Sequence, residues 1–427
     1  MITELLELFA KKEGYHFFHR LKHPNLIQIE KALTEIKSKQ IALYIHIPFC
    51  QRLCPYCSFV RYKYEETPAL IYMKNLRKEL ELYLDLIQNT RTRVRSVYFG
   101  GGTPTLLIYP LIDMIRYLQD RLGIEEFSVE THPEDLTLKK MKALSINGVK
   151  RLSIGVQSFS DDILRKLGRL NANSNFAQKA ISMAQGNFDT VNVDLLWDLP
   201  QQTISHIEKD IQTLFKLDVD QATFYPILPS PNKKTLLERQ FHKINRGLFR
   251  KNHTHKRIYE FIQKTMKEHY IPSTVWCFSK NGTKIIDEYV VDCTEYIGMG
   301  CGSVSMVNDY YNVNTFPVDK YNKFLSQGNL PIVRSNKLSD WQLSNYQLLT
   351  KFFGVRVPKK NILQNISKKS DKWLKIKLAA LKKFGYLDEN KNFFQLTPKG
   401  MYQVNLLMRQ TFVGMNTLRE RCLEGGI

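Results

Sequence analysis

The stretch YIHIPFCQRLCPYCSF, residues 44–59, decides how this sequence is interpreted. It places Cys50, Cys54 and Cys57 in a C-x3-C-x2-C pattern directly after ALYIHIP (42–48), an apolar, β-branched run that predicts a strand. Thiolates are the ligands that hold iron–sulfur clusters, and three of them leave one iron of a [4Fe–4S] cluster with an open coordination position. The spacing therefore predicts a cluster whose open iron can bind a further ligand.

A zinc ion is the alternative explanation of these cysteines. A structural zinc site usually needs four protein ligands, and no nearby cysteine or histidine has the usual paired spacing. Ser58 follows the third cysteine, and His46 lies four residues before the first, on the strand. The remaining cysteines are dispersed and are interpreted as buried structural thiols: Cys277, Cys293, Cys301 and Cys422.

A run of three glycines forms the second motif, VYFGGGTPTLL (97–107). Glycines lack Cβ atoms, so the backbone can adopt positive φ and approach a bound ligand closely. The run lies at the end of the next predicted strand after the cysteine loop, which favours a ligand-binding turn. The alternative is a tight turn before Pro104 and a helix.

Strand-like and helix-like stretches alternate along the first half of the chain. The predicted strands are 42–48, 94–100, 126–130, 150–156, 189–196 and 221–227. Amphipathic stretches between them have apolar residues three and four apart, as in 69–87, 110–122 and 138–147. The alternation predicts an α/β fold, with right-handed βαβ units and a parallel sheet that is open or curled into a partial barrel. Chemistry is expected at the carboxyl ends of the strands.

Four segments are predicted along the chain. Residues 1–40 are a helical extension, 41–232 the (β/α) barrel core, 233–328 the completion of the barrel, and 329–427 a C-terminal unit. That unit begins with the helical LSDWQLSNYQLLTKFFGV (338–355) and continues as helix, hairpin and final helix. The pattern resembles a winged-helix α+β module.

Composition predicts a globular protein with anionic partners. The 427 residues are 43% hydrophobic and 24% charged, and the formal net charge is +21. Such a charge attracts anionic partners at long range, although a solvated basic surface explains it equally well. The N-terminus lacks the features of a signal peptide, so we expect a cytoplasmic protein with no membrane partner.

The motifs together resemble the radical S-adenosylmethionine superfamily, and within it the oxygen-independent coproporphyrinogen III oxidase-like group. The residues that carry the resemblance, in that group's order and spacing, are YIHIPFC, FGGGTPT, SVETHPEDL, RLSIGVQSF, VNVDLLWDLP and GMGCGSVSM. The resemblance covers roughly residues 40 to 310. It implies a [4Fe–4S] cluster on Cys50, Cys54 and Cys57, with S-adenosylmethionine on the open iron.

The resemblance also implies the cofactor-binding residues. Tyr44, Gly101, Glu130 and Val304 are expected to contact the cluster-bound S-adenosylmethionine. In several members of the group a second molecule lies beside it, and here it would be lined by Tyr56, Gly102, Thr103, Gln157, Arg169, Asp194 and Pro226. A carboxylate can accept from an ammonium or from ribose hydroxyls, and an arginine fork can pair a carboxylate.

This sequence departs from the group at three places. Ser58 and Phe59 stand where the decarboxylating oxidase continues Gly-Cys. Val290 and Val291 occupy aromatic positions of the related heme chaperones. Asp198 stands where relatives usually have glycine.

The first functional hypothesis is therefore radical chemistry on an anionic, tetrapyrrole-type substrate, by oxidative decarboxylation or methyl transfer, with an electron donor such as flavodoxin or ferredoxin. The alternative is a heme-binding chaperone or trafficking protein in which the cluster is regulatory, with His16, His19 and His23 available near the N-terminus. Nucleic-acid modification is a third hypothesis, suggested by the winged-helix-like tail and the basic charge. We favour a lid role for that tail and do not expect a nucleic-acid partner.

Overall fold

A twelve-stranded sheet dominates the computed structural model, which describes residues 17–18, 20–169, 173–199, 201–228, 239, 252–283, 291, 293–363 and 368–423. The strands of this sheet, in chain order, are β1 (Gln40–Ile47), β4 (Arg93–Gly101), β5 (Phe127–Thr131), β6 (Val149–Gln157), β7 (Thr190–Trp197), β8 (Gln221–Pro226), β9 (Ile271–Pro272), β10 (Cys277–Ser279), β11 (Tyr296–Met299), β12 (Val304–Val307), β13 (Tyr310–Asn314) and β14 (Ile332–Lys337). A small parallel ribbon, β2 (Phe49–Cys50) with β3 (Tyr62–Lys63), flanks the sheet.

The centre of the sheet is parallel. Its order there is β11-β1-β4-β5-β6-β7-β8, and every neighbouring pair runs in the same direction. Antiparallel strands flank both sides, with β10 and β9 beyond β8, and β12, β13 and β14 beyond β11. The six strands predicted from the sequence are β1 and β4 to β8, and they are consecutive neighbours.

Helices connect the parallel strands and cover the sheet. The described helices are α1 (Leu26–Thr34), α2 (Glu66–Ile87), α3 (Ile108–Leu122), α4 (Leu138–Ile146), α5 (Asp161–Lys166), α6 (Ser174–Ala184), α7 (Ile204–Leu217), α8 (Asn252–Met266), α9 (Val318–Ser326), α10 (Asp340–Phe353), α11 (Lys359–Leu363), α12 (Lys368–Lys383) and α13 (Pro398–Leu423). In α2, Leu76, Leu80 and Leu84 recur at the helical spacing and are buried. The three helical stretches predicted in the first half are α2, α3 and α4.

The two faces of the sheet differ in chemistry. Leu152 and Ile154 of β6 are fully buried on one face, as expected where helices cover a parallel sheet. On the other face the alternate residues are polar although equally buried, as with Ser153, Asn192 and Thr223. That polar face continues towards the carboxyl ends of the strands.

The C-terminal region has the element order of a winged helix. After α10 come β15 (Arg356–Pro358), α11, α12 and the hairpin β16 (Leu387–Glu389) with β17 (Phe393–Leu396), and the three strands form an antiparallel sheet. The four predicted segment limits stay a prediction. Residues 332–337, which follow the predicted start of the last segment, pair with β13 in the large sheet.

Within the described residues, no helix is long and apolar enough to cross a membrane. His16 and His19 lie outside those residues, and His23 is exposed.

Candidate active site

A cavity of about 470 Å³ opens at the carboxyl ends of the parallel strands. It collects the residues predicted for the site, with two exceptions: it is lined by Cys50, Cys54, Cys57, Tyr56, Gly101, Gly102, Thr103, Glu130, Gln157, Arg169, Asp194 and Pro226. The residues that do not line it are Tyr44 and Val304. Side chains from β4 to β8 therefore converge with the cysteine loop, as expected for an α/β fold of this kind.

Backbone hydrogen bonds fold the cysteine loop into a compact turn. Cys57 N donates to Cys54 O at 3.1 Å, and Tyr64 N donates to Cys50 O at 2.9 Å. The Arg61 guanidinium adds a bond from Nη2 to Cys54 O at 2.7 Å. None of these three cysteines forms a disulfide; all three are half-buried, and all of them line the cavity.

The three cysteines can serve as cluster ligands without meeting at one point. Among the described residues, no three histidine, cysteine or acidic side chains are gathered closely enough to hold one metal ion. A cubane spreads its irons over several ångströms, so its thiolate ligands need not meet at one point. Burial raises the pKa of Cys50 to about 12, with the nearby Cys57 and Cys54 adding to the shift. The Cys50 thiol therefore needs a metal to stabilise its deprotonated form.

The glycine run crosses the cysteine loop at close range. A Cβ on Gly102 would lie 2.5 Å from Phe49 O and 2.7 Å from Phe49 N. The backbone bonds there run from Gly102 N to Ile47 O and from Thr103 N to Phe49 O, both at 2.8 Å. The absence of a side chain is thus required where the two motifs meet.

Glu130 is fixed at the same turn. Its Oε2 accepts from Gly101 N at 2.9 Å, and its Oε1 accepts from the hydroxyl of Tyr98 at 2.9 Å. Gly101 has φ +117°, a conformation open to glycine. The carboxylate is therefore held in place where it lines the cavity.

Arg169 lies opposite, above the end of β6. Its Nε donates to the hydroxyl of Tyr56 at 3.1 Å, and its Nη1 donates to Gly155 O at 2.7 Å. Burial raises the pKa of Tyr56 although the charge of Arg169 opposes the shift, so the phenol stays protonated. The guanidinium has five N–H donors in all, enough to pair a carboxylate as well.

Asp194 is held by polar side chains of its own sheet. Ser153 Oγ donates to Asp194 Oδ2, and Asn192 Nδ2 donates to Asp194 Oδ1, each at 2.8 Å. Asn192 Nδ2 also donates to Ser153 Oγ at 2.8 Å, and Asn192 Oδ1 accepts from Thr223 at 2.9 Å. The carboxylate thus rests on a buried network that spans β6, β7 and β8.

Tyr44, on β1, does not line the cavity. Its hydroxyl is 3.0 Å from His46 Nδ1, and His46 Nε2 is 3.0 Å from Val60 O. A carbonyl only accepts, so Nε2 carries the proton and Nδ1 accepts from Tyr44. Burial lowers the pKa of His46 to about 4, which keeps the ring neutral. Val304 is half-buried on β12.

Comparison with known proteins names the domain. Residues 44–214 match the family model of the Radical SAM superfamily. The chain contains a radical SAM domain. Domains of this superfamily hold a [4Fe–4S] cluster and S-adenosylmethionine, so the predicted cofactors are those of the family.

Curated relatives confirm the resemblance to the coproporphyrinogen III oxidase-like group. A protein named heme chaperone HemW from Bacillus subtilis (strain 168) is 29% identical over 369 residues, which cover 84% of this chain and 95% of the relative. One named oxygen-independent coproporphyrinogen III oxidase from Helicobacter pylori (strain J99) is 27% identical over 400 residues, covering 84% and 83%.

A solved structure confirms the fold. Coproporphyrinogen III oxidase (HemN) from Escherichia coli, described as a radical SAM enzyme, aligns with a TM-score of 0.71. The alignment covers 92% of this chain and 94% of that one at 21% identity. The predicted α/β radical SAM barrel is therefore confirmed at the level of the fold.

The radical SAM domain contains cavity residues that the sequence analysis did not single out. His132 lines the cavity from within the quoted motif SVETHPEDL, two residues after Glu130, and was within reach of the same reasoning. Its Nδ1 accepts from Glu134 N at 3.2 Å, and burial, with the charges of Arg169 and Arg52, keeps its pKa well below the usual value. The ring is therefore neutral.

Other missed residues come from the C-terminal helix α13. Phe412 lines the cavity, and Arg419 Nη1 donates to Ser58 O at 3.1 Å and to Phe59 O at 2.8 Å. Both lie far along the chain from the cysteines, and no motif in the sequence connects them to the site. The tail thus packs directly against the radical SAM domain.

One departure from the family pattern, Asp198, has a local explanation. Asp198 has φ +65°, in the left-handed region that favours glycine, and its Oδ2 lies 3.3 Å from Arg409 Nη1 on α13. Asp198 thus adopts a conformation that glycine would also allow, while its carboxylate gains a cationic partner. Val291 packs against Gly354, and Val290 lies outside the described residues.

Proposed function

We propose that this chain is a radical SAM enzyme of the coproporphyrinogen III oxidase-like group that acts on an anionic tetrapyrrole. The reaction would be oxidative decarboxylation or radical methyl transfer. One observation carries the proposal: the three cysteines, the Glu130-bound glycine turn, Arg169 and Asp194 line a single cavity. Cluster ligands and cofactor-binding groups are thus within reach of one another.

Cys50, Cys54 and Cys57 would hold the cluster, and Glu130 would accept from the ammonium of the S-adenosylmethionine bound to it. When bound, the cluster supplies the electron that splits S-adenosylmethionine. Gly101 and Gly102 keep the wall next to this molecule free of side chains. Tyr44 and Val304 do not line the cavity, and their contact with this molecule stays a prediction.

A second S-adenosylmethionine would lie on the opposite side, against Arg169 and Asp194. Arg169 would pair its carboxylate, and Asp194 would accept from its ribose hydroxyls or ammonium. The remaining residues proposed for this position are Tyr56, Gly102, Thr103, Gln157 and Pro226. All of them line the same cavity.

The tetrapyrrole is proposed from the names of the relatives and from the charge. Coproporphyrinogen and heme carry propionates, and a chain with net charge +21 attracts such anions. A flavodoxin or ferredoxin remains the predicted electron donor, and a cytoplasmic location remains a prediction.

A heme chaperone with a regulatory cluster is the second candidate. It is favoured by the relatives named heme chaperone HemW, of which the one from Bacillus subtilis is covered over 95% of its length. Heme titrated into micromolar protein is expected to shift the Soret band if this candidate holds. A Soret band identical to that of free heme would count against it.

The deciding experiment is anaerobic. The reconstituted protein receives S-adenosylmethionine and dithionite, with coproporphyrinogen III or heme supplied in turn, and products are followed by mass spectrometry. Loss of carboxyl groups would establish the oxidase, and methylated or opened heme the methyltransferase. Heme bound but unchanged would favour the chaperone.

Cysteine variants test the cluster ligands. Each of Cys50→Ala, Cys54→Ala and Cys57→Ala is expected to lose the brown absorbance and nearly all 5′-deoxyadenosine, because three thiolates are the minimum for the cluster. Cys422→Ala, a half-buried thiol on α13, is the matched control and is expected to keep both. Wild-type protein that never forms 5′-deoxyadenosine would refute the enzymatic proposal.

A further inference from the structure

Arg419 connects the C-terminal helix to the cysteine loop. It lies 361 positions after Ser58 in the sequence, yet its Nη1 donates to the carbonyls of Ser58 and Phe59, at 3.1 and 2.8 Å. These two residues directly follow Cys57. The arginine side chain is only 6% exposed. A full positive charge is thus buried beside the last cysteine of the triplet.

Arg61 places a second positive charge at the same loop. It is 7% exposed, and its Nη2 donates to Cys54 O at 2.7 Å. Arg61 comes from the segment after the cysteines, whereas Arg419 comes from α13. The loop that carries Cys54 and Cys57 therefore accepts hydrogen bonds from guanidinium groups of two separate parts of the chain.

Burying an arginine is costly unless an anion lies near, because the guanidinium does not lose its proton. The groups that Arg419 contacts are carbonyl oxygens, which carry no net charge. Arg61 and Arg419 donate to backbone carbonyls on either side of Cys57 in the sequence, at Cys54, Ser58 and Phe59. Three thiolates bearing a cluster would supply a lasting negative charge at this place.

We propose that Arg61 and Arg419 set the reduction potential of the cluster by holding two buried positive charges against its binding loop. This inference rests on the proposed function, in which Cys50, Cys54 and Cys57 hold the cluster. Reduction adds one electron from an external donor and breaks no bond in the protein. Since the reduced cluster carries one more negative charge, nearby cations favour it over the oxidised form.

The test is a redox titration of the reconstituted full-length protein, followed by the electron paramagnetic resonance signal of the reduced cluster. At a fixed potential, Arg419→Gln is expected to lower the ratio of reduced to oxidised cluster about tenfold, a midpoint about 59 mV more negative for one electron. Arg419→Lys keeps the charge but loses the fork, and is expected to stay close to wild type. Arg421→Gln removes the same charge two residues further along α13 and is the matched control.

Arg61→Gln extends the test to the second cation. It also provides the test if the Arg419→Gln protein fails to bind the cluster. It is expected to shift the midpoint in the same direction, with Arg61→Lys close to wild type. The inference would be overturned by a glutamine variant that loads normally with an unchanged midpoint, or by lysine variants that shift as far as the glutamine ones. Wild-type protein without iron and sulfide would instead refute the proposed function itself.

Discussion

Gly102 is the residue at which the glycine run and the cysteine loop cross. Its Cβ would lie within 2.8 Å of three backbone atoms of Phe49, and backbone cannot rotate away as a side chain could. We expect Gly102→Ala to cost about 1–3 kcal/mol of unfolding free energy, the usual range for an overpacked site. Because the displaced atoms adjoin Cys50, cluster loading should fall several-fold. Thermal unfolding and iron content measure the two effects.

The control is Gly123, at the end of α3. It has φ +63°, and a Cβ there would meet nothing within 4 Å. Gly123→Ala therefore adds backbone strain of about 1 kcal/mol without a clash. It should lower the melting temperature and leave cluster loading unchanged. Equal loss of the cluster in both variants would show that general destabilisation, not the crossing, is responsible.

Reasoning from the sequence reaches single residues that belong to a local motif. The three cysteines follow from their spacing, whereas Gly101 and Glu130 follow from the family resemblance, and the structure gathers all five around one cavity. Arg419 could not be predicted in this way. An arginine on an amphipathic helix carries no sign of which distant backbone it will contact.

At the scale of the element, β6, β7 and β8 show what the alternation of apolar and polar residues along a strand predicts and what it does not. The apolar positions of β6, such as Leu152 and Ile154, predict a strand. The polar positions between them gave no prediction of their own. The role of these polar residues depends on strand order, because Ser153 and Asn192 become hydrogen-bonded only when β6 pairs with β7. The network that supports Asp194 is thus a property of the sheet.

Ser153→Ala tests that network. The substitution removes the donor to Asp194 Oδ2 and an acceptor for Asn192, while Asp194 itself is kept. Loss of one buried hydrogen bond costs about 1 kcal/mol, so the Kd for S-adenosylmethionine is expected to rise about fivefold. Anaerobic calorimetry of the reconstituted protein measures it.

Ser128→Ala is the matched control, since Ser128 is likewise buried, on neighbouring β5. Its binding of S-adenosylmethionine is expected to match wild type. An unchanged Kd in Ser153→Ala, with normal cluster content, would show that the network does not orient Asp194 for this ligand.

At the scale of the whole molecule, six of the seven central parallel strands could be predicted, and the seventh, β11, and the strands that flank the core could not. Six strands followed from periodicity, since parallel strands alternate with amphipathic helices along the chain. The strands β9 to β13 are short, at two to five residues, and the periodicity of so short a segment is weak. The packing of α13 on the cysteine loop depends on contacts between the two ends of the chain, which no local pattern records.

Glu79, in the middle of α2, is hydrogen-bonded to three residues that lie at least 221 positions further along the chain. Its carboxylate accepts from Gly300 N at 2.7 Å, from Asn314 Nδ2 at 2.7 Å and from the hydroxyl of Tyr321 at 2.6 Å. Burial raises the pKa of Glu79 to about 7, although these three bonds oppose the shift. Asp210, on α7, is a second buried acid whose pKa burial raises to about 7.

These raised pKa values predict how stability depends on pH. Between pH 4.5 and 7 the folded state binds more protons than the unfolded state, so the free energy of unfolding falls as the pH rises through this window. For Glu79 the full loss is at most about 3 kcal/mol. Glu79→Gln cannot ionise and should make the dependence shallower, whereas Glu81→Gln, an exposed position on the same helix, should leave it as in wild type. Denaturant unfolding of the three proteins from pH 5 to 8 measures the slope of the free energy of unfolding against pH. Equal slopes for wild type and Glu79→Gln would mean that Glu79 stays ionised in the folded state throughout this range.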